Sequence, residues 1–447
     1  MHLFRTTADV VEAGLCSGCG VCAALCPVEA ISMVEDASRG VYRPVRDAEK
    51  CVMCGRCVQV CAGHGLEREQ ARMPPPNGSA DGLLWGDAWC YVGAAKDKDI
   101  RFRGASGGMV TAVLAYLLES GVVDGAIVAL ASDCEPLRPR MEACHSTDAV
   151  RQAVGSRYCP IEMSHALHQT NHGDGKYAVV GLPCHINSLV KAQHVLPRLK
   201  NTYPFLLGLI CGHSPSFHAT DYILKTAGIR HDEVRCLSYR GNGWPGGVRV
   251  DTRGNRSVFF DHEALWQGAM GVFFFSEYCL RCADHLNLQA DLCFGDAWLP
   301  CTSRETEGMS IVIARTEQGK NLLQHLNGWM VDVKRTSLST IKQAQDGFSF
   351  ARSQPSRTLL RRLLQRPVVR HYAIAAYDRC SVSSVFSGLM LALSSSLSRM
   401  RMLWPLLGVL LVVKKALKRT VSYSQANSRT FPTRARLTIM GNCWERL

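Results

Sequence analysis

Two runs of four cysteines with the same spacing constrain this chain more than any other feature. Cys16, Cys19, Cys22 and Cys26 follow C-x2-C-x2-C-x3-C, and Cys51, Cys54, Cys57 and Cys61 repeat it. Pro27 follows the first run, and Ala62 stands at the corresponding place after the second. Three cysteines two residues apart let a tight loop wrap three corners of an iron–sulfur cubane. Glycines such as Gly18, Gly20 and Gly55 let backbone amides approach the sulfurs. In this spacing the fourth cysteine ligates the other cluster. Cys16, Cys19, Cys22 and Cys61 are therefore assigned to one [4Fe–4S] cluster, and Cys51, Cys54, Cys57 and Cys26 to a second. Zinc sites favour separated CxxC pairs over runs of three.

The 447 residues are too many for one core and imply two or three domains. Cysteine is abundant, at 21 residues, yet Met1 to Glu12 shows no signal-peptide pattern. The expectation is a cytoplasmic chain with reduced thiols, which disfavours disulfides and favours metal binding. Residues 1–72 resemble the bacterial two-cluster ferredoxins, a small α+β domain. Residues 73–82 read as a Pro/Gly linker, beginning Met73-Pro74-Pro75-Pro76. Residues 83–355 alternate strand and helix and predict an α/β domain. The pattern gives a helix over Gly107–Glu119 and strands over Val122–Leu130, Tyr177–Val180, Phe205–Ile210 and Ser310–Ala314, the last followed by a helix over Glu317–Leu326. His165, His168 and His172 read as one solvated helix face rather than a metal site. The glycine-rich loop Tyr239 to Gly247 is either a cofactor cover or a hairpin connection.

Ser106-Gly107-Gly108 opening a helix is either a plain structural helix start or an anion site, where glycine admits a phosphate and the free N–H groups favour it. It is followed by Gly181-Leu182-Pro183-Cys184-His185, Gly208-Leu209-Ile210-Cys211-Gly212-His213, Cys279-Leu280-Arg281-Cys282 and Asp291-Leu292-Cys293-Phe294-Gly295-Asp296-Ala297-Trp298. In this order the segments resemble the family of coenzyme F420 hydrogenase/dehydrogenase beta subunits, from about Arg101 to Leu326. The resemblance implies a flavoprotein oxidoreductase passing electrons among clusters, FAD and a reducible partner such as the deazaflavin F420. Relatives reduce chlorophyll-type pigments or are tied to polysaccharide production. It implies FAD at Ser106, Gly107, Gly108 and Thr111. A ferredoxin or redox subunit would donate electrons, and the small-molecule substrate stays unnamed. His185 stands where the family commonly has Gln, and Cys211-Gly212-His213 where it has Cys-His-Gly. His185 and His213 are the candidate proton donors. Cys184, Cys211, Cys279 and Cys282 are either a third [4Fe–4S] site or four small buried hydrophobes. The alternative to an enzyme is a non-catalytic iron–sulfur carrier that docks a separate redox enzyme.

Residues 356–447 form a basic, partly helical tail. From Arg352 onward there are 17 Lys and Arg against 2 Asp and Glu, whereas the remainder is nearly neutral. Met402 to Val413 is an apolar run of twelve residues, too short to span a bilayer. Arg399, Arg401, Lys414, Lys415, Lys418 and Arg419 flank it, and Trp404 suits an interface. The expectation is a reversible hold on an anionic membrane surface or, equally, a helix packed on the α/β domain. No nucleic acid is expected, because no recognition motif accompanies the charge.

Overall fold

Alternating apolar side chains along short strands dictate a sheet buried on both faces. Strand β4 (Gly125–Leu130) sends Ala126 and Val128 to one core and Ile127 to another. Strands β6 (Tyr177–Gly181) and β7 (Phe205–Leu209) do the same, with Val179 and Leu206 facing opposite to Val180 and Leu207. The structure is a computed structural model describing residues 4–67, 70, 72, 89–265, 270–271, 273–282, 284–345 and 393–407.

The remaining strands are β1 (Ile31–Asp36), β2 (Val41–Arg46), β3 (Trp89–Ala95), β5 (Arg140–Cys144), β8 (Val234–Ser238), β9 (Gly247–Thr252), β10 (Ser257–Asp261), β11 (Leu292–Asp296), β12 (Ser310–Ala314) and β13 (Val331–Arg335). The central sheet runs β13-β3-β12-β11-β7-β6-β4-β5. Its middle, β11-β7-β6-β4, is parallel, and β5, β12, β3 and β13 pair antiparallel around it. The expected alternation is therefore present inside a mixed sheet rather than a purely parallel one.

Helix Met109–Glu119 packs on one face, and Glu317–Leu326 joins it there through Leu322, Leu323 and Leu326. Helix Pro183–Val195 covers the other face together with Val21, Ala24, Leu25 and Val60 of the cysteine-rich segment. The first helix begins at Met109, two residues later than expected, because Gly108 caps it with φ 71°. The strand after it begins at Gly125, not Val122, since the backbone of Val122 and Val123 still folds back on Leu117. The loop after Tyr239 links β8 to β9, so it is a hairpin connection. The cysteine-rich segment carries the β1–β2 hairpin and two short helical turns, Val21–Ala24 and Arg56–Gln59.

Residues 393–407 dock against the Phe273–Cys282 segment. Ser395 Oγ donates to Phe275 O at 2.6 Å, and Phe274 N donates to Ser398 Oγ at 3.0 Å. Trp404 and Leu407 are buried with Phe273, Phe274 and Ala219. This corrects the interfacial reading of Trp404: its indole N–H is spent on Ser398 O at 2.9 Å, and its ring meets Tyr222 and Phe274 edge-on. The linker at 73–82, the rest of the apolar run and its basic flank from Lys414 to Arg419 lie outside the described residues. Among the described residues no helix is long and apolar enough to cross a membrane.

Candidate metal centres

Each cysteine run folds into a turn whose third cysteine opens a helix. Gly20 (φ 82°) caps Val21–Ala24 and Gly55 (φ 74°) caps Arg56–Gln59, placing Cys22 and Cys57 at equivalent positions. Only glycine takes that conformation without strain, and a Cβ on Gly20 would fall 2.8 Å from Ser164 N.

Cys16, Cys19, Cys22 and Cys61 line a single cavity together with Thr7, Val10, Met33, Pro44, Val60 and Ser188. Burial pushes the Cys16 thiol up to about 12 and Cys61 up to about 11, with neighbouring sulfurs adding to both. Burial also drives Cys22 upward, followed by Cys19, Cys61 and Cys16. Four crowded thiols disfavour four bare thiolates, and a bound cation removes that penalty. Cys51, Cys54 and Cys57 lie nearer the surface, where Cys54 is exposed and both it and Cys51 bear on Cys57. The Met53 amide, then Arg46, lowers the Cys51 thiol. Cys26 Sγ accepts from Ala30 N at 3.3 Å, and Cys57 is close enough to bear on Cys22.

Cys184, Cys211, Cys279 and Cys282 line a second cavity, with Ser17, Pro160, Tyr278 and Asp284 among its walls. Cys184 follows β6 at the start of helix Pro183–Val195, and Cys211 lies just beyond β7. These are carboxyl ends of adjacent parallel strands, where open α/β sheets gather ligands. Burial drives the Cys184 thiol well above its usual value, and the next contributors are Cys19, Cys211, Cys282 and Cys279. Cys19 of the first cavity thus neighbours Cys184 of the second, and Ser17 lines both. Among the described residues no three His, Cys, Asp or Glu side chains converge on one ion position. Sulfurs spread around a cavity suit a multi-iron cluster better than zinc, whose ligands sit about 2.3 Å from one point. Cys293 is instead packed inside the sheet on β11.

The expected proton donors and phosphate cradle fare differently. His185 lines the second cavity but caps its helix: Leu182 N donates to Nδ1 at 3.3 Å, leaving Nε2 to donate to Ile161 O at 3.1 Å. Burial holds this ring down to about 4, and both ring nitrogens already have partners, so the side chain caps its helix. His213 is buried, stacked on Phe275 at 3.6 Å. Ser106 Oγ bonds Ser310 Oγ at 2.8 Å, and Gly107 N donates to that hydroxyl at 2.9 Å. A Cβ on Gly107 would lie 2.8 Å from Gly93 O. Ser106 and Gly107 therefore clamp β3 to β12 and do not fit a flavin phosphate, while Gly108 caps the helix that carries half-buried Thr111. Nearby, Arg240 pairs with Asp296 at 3.0 Å, and Trp244 Nε1 donates to the same carboxylate at 2.9 Å.

Reading the sequence for cysteines misses Ser188 and Lys191, which approach the first cluster cavity from the core domain. The signal was present, for they lie four and seven residues after Cys184 and so share its helix face. Ser188 Oγ accepts from Ala62 N at 3.1 Å and lies 3.4 Å from Cys19 Sγ.

Residues 174–335 match the family model for the C terminus of the coenzyme F420 hydrogenase/dehydrogenase beta subunit, and residues 90–168 match the model for its N-terminal part. Residues 15–63 match a 4Fe-4S dicluster domain. The chain is 27% identical to the coenzyme F420-dependent sulfite reductase of Methanocaldococcus jannaschii, over 70% of this chain and 46% of that protein. It is 30% identical to the coenzyme F420 hydrogenase subunit beta of Methanosarcina barkeri, over 52% of this chain and 76% of that one. It is 26% identical to the protein of the same description from Methanothermobacter thermautotrophicus, over 51% and 77%. The chain thus spans less than half the length of the sulfite reductase.

Proposed function

Since the chain belongs to the family of coenzyme F420 hydrogenase/dehydrogenase beta subunits, we propose that it is an iron–sulfur electron-transfer subunit of an F420-dependent oxidoreductase. The observation that carries this reading is the adjacency of two cysteine-lined cavities, with Ser17 lining both and Cys19 beside Cys184. A [4Fe–4S] cluster, when bound, supplies one-electron exchange at a potential set by its surroundings. Cys16, Cys19, Cys22 and Cys61 would hold one cluster, Cys26, Cys51, Cys54 and Cys57 a second, and Cys184, Cys211, Cys279 and Cys282 a third. The surface position of Cys54 suits exchange with a partner, and the second cavity, whose cysteines are all less exposed than Cys54, suits the inner end of a relay. The partners that fit are a redox subunit, the deazaflavin F420 and, through the basic tail, an anionic membrane surface.

The test is iron and acid-labile sulfide analysis on anaerobic protein. The expected content is about twelve iron atoms per chain, falling to about eight in Cys184→Ala. A wild-type content of about eight would overturn the third site, and stoichiometric zinc without sulfide would overturn the whole reading. Reduced F420, a two-electron hydride donor, should bleach the cluster absorbance only where a bound flavin divides the pair into single electrons, whereas a one-electron reductant such as dithionite should bleach it in either case.

This reading divides into a flavoenzyme that carries FAD beside its clusters and a carrier with no flavin of its own, and the filled Ser106–Gly107 turn favours the carrier. Acid release separates the two. Stoichiometric FAD makes the chain a flavoenzyme, and its absence makes it a carrier.

A further inference from the structure

Lys191 is buried, with 2% of its surface exposed, in a helix of the core domain. Its ammonium reaches across the domain boundary and donates to Gly65 O at 2.5 Å. Gly65 ends the turn Ala62–His64, which begins immediately after Cys61. The charges bearing on Lys191 are those of Cys61 and of exposed Glu67. No carboxylate of the described residues makes an ion pair with it. A buried ammonium lacking a paired anion is costly, so such groups are found beside compensating charge. The compensating charge inside the protein is that of Cys61, one of the four sulfurs around the first cavity.

Ser188, three residues earlier on the same helix, adds a dipole. Its oxygen already accepts from Ala62 N, and a metal-bound sulfur has no proton to give. The hydroxyl therefore donates to Cys19 Sγ, 3.4 Å away.

We propose that Lys191, assisted by Ser188, sets the reduction potential of the cluster held by Cys16, Cys19, Cys22 and Cys61. Lys191 is a positioning charge, not a ligand. A cubane with four thiolates is anionic, and reduction adds one electron and one more negative charge. A fixed cation nearby stabilises the reduced form, and net charge and hydrogen bonds to sulfur are established determinants of cluster potential. The basic residues near the outer set, Arg46 bearing on Cys51 and Lys50 and Arg56 adjacent in sequence to Cys51 and Cys57, are all more exposed than Lys191, so solvent and salt screen them more. The core domain thereby draws the electron inward, toward the cavity of Cys184.

The inference rests on the first cavity holding a cluster, and iron analysis of the same samples separates failure of that premise from failure of the inference. Redox titration of the full chain, followed by electron paramagnetic resonance, is the test. Lys191→Met, nearly isosteric and uncharged, should lower the inner midpoint so that the reduced-to-oxidised ratio at a fixed potential falls about tenfold, about 59 mV for one electron. Lys191→Arg should hold the wild-type value, and Ser188→Ala should shift it in the same direction by less. If Lys191→Met loses iron, Lys191→Gln, which keeps an N–H donor toward Gly65, replaces it. A loaded, uncharged variant titrating at the wild-type midpoint would overturn the proposal, as would Lys191→Arg shifting as far as Lys191→Met.

Discussion

His262 shows how two neighbours can fix one protonation state. Its ring stacks on Trp298 at 5.1 Å, beside Arg240, whose guanidinium lies over the same indole at 5.8 Å. Burial, and then the Arg240 charge, hold the imidazole down to about 3. An unfolded histidine titrates near 6.5, so the contribution of the neutral ring is complete above that pH. It is lost as pH falls from about 6.5 toward 3, because the unfolded chain takes up a proton that the folded one refuses. Between about pH 6.5 and 5 the loss is at most about 2 kcal/mol. The thermal midpoint of the wild type should therefore drop on acidification across that window, and His262→Gln should drop less. Parallel declines in the two proteins would show that His262 does not titrate as its surroundings dictate. His185 obeys the same logic with a different outcome for function, since both its ring nitrogens are spent on Leu182 N and Ile161 O.

At the scale of elements, the segment 393–407 braces the loop that presents Cys279 and Cys282. Its contacts converge on Phe274, Phe275 and Glu277, the last also paired with Arg399 at 3.3 Å and with Arg39 of the cysteine-rich segment at 3.2 Å. Trp404 is 4% exposed and Met402 84% exposed, although both belong to the same apolar run. Trp404→Ala should cost about 3–5 kcal/mol, whereas Met402→Ala should stay within about 0.5 kcal/mol. Comparable thermal midpoints for the two variants would refute the docking. Sequence reading sees twelve apolar residues and cannot tell which of them turn inward, because that depends on Phe273 and Tyr222 arriving from distant segments. Four strands of the central sheet, β4, β6, β7 and β12, were legible, since a buried β run such as Phe205–Leu209 carries its signal locally, whereas β3, β5, β11 and β13 were not read. The 4Fe-4S dicluster segment was legible for the same reason, because its cysteine spacing is local. The role of Ser106 and Gly107 was not, because the hydroxyl that satisfies them belongs to Ser310, two hundred residues away in the chain.

The whole molecule is stitched across its two parts by polar contacts as well as by the shared core. Arg72 places both guanidinium nitrogens on Asp291, at 3.1 and 3.0 Å, and that buried carboxylate also accepts from Leu206 N and Thr316 Oγ1. Arg138 makes a paired contact with Glu35, and Lys191 bridges to Gly65. These links hold the first cavity against the helix that begins at the second. The net charge follows a different division, because the excess of basic residues lies beyond Arg352. Docking of Trp404 and Leu407 removes two of the apolar side chains that an interfacial helix would insert. Attraction to an anionic leaflet then depends mainly on Lys414, Lys415, Lys418, Arg419 and the arginines after them. Such attraction amounts to about 1 kcal/mol for each basic residue near the surface and falls off within a Debye length. The full chain should therefore float with phosphatidylserine-rich vesicles at about 0.05 M salt and be released at about 0.5 M, where the screening length is only a few ångströms. A chain ending at Leu407 should stay at the bottom at both concentrations. Flotation that survives high salt would mean that apolar insertion holds the tail, and equal behaviour of the two chains at low salt would mean that its charge serves another anionic partner.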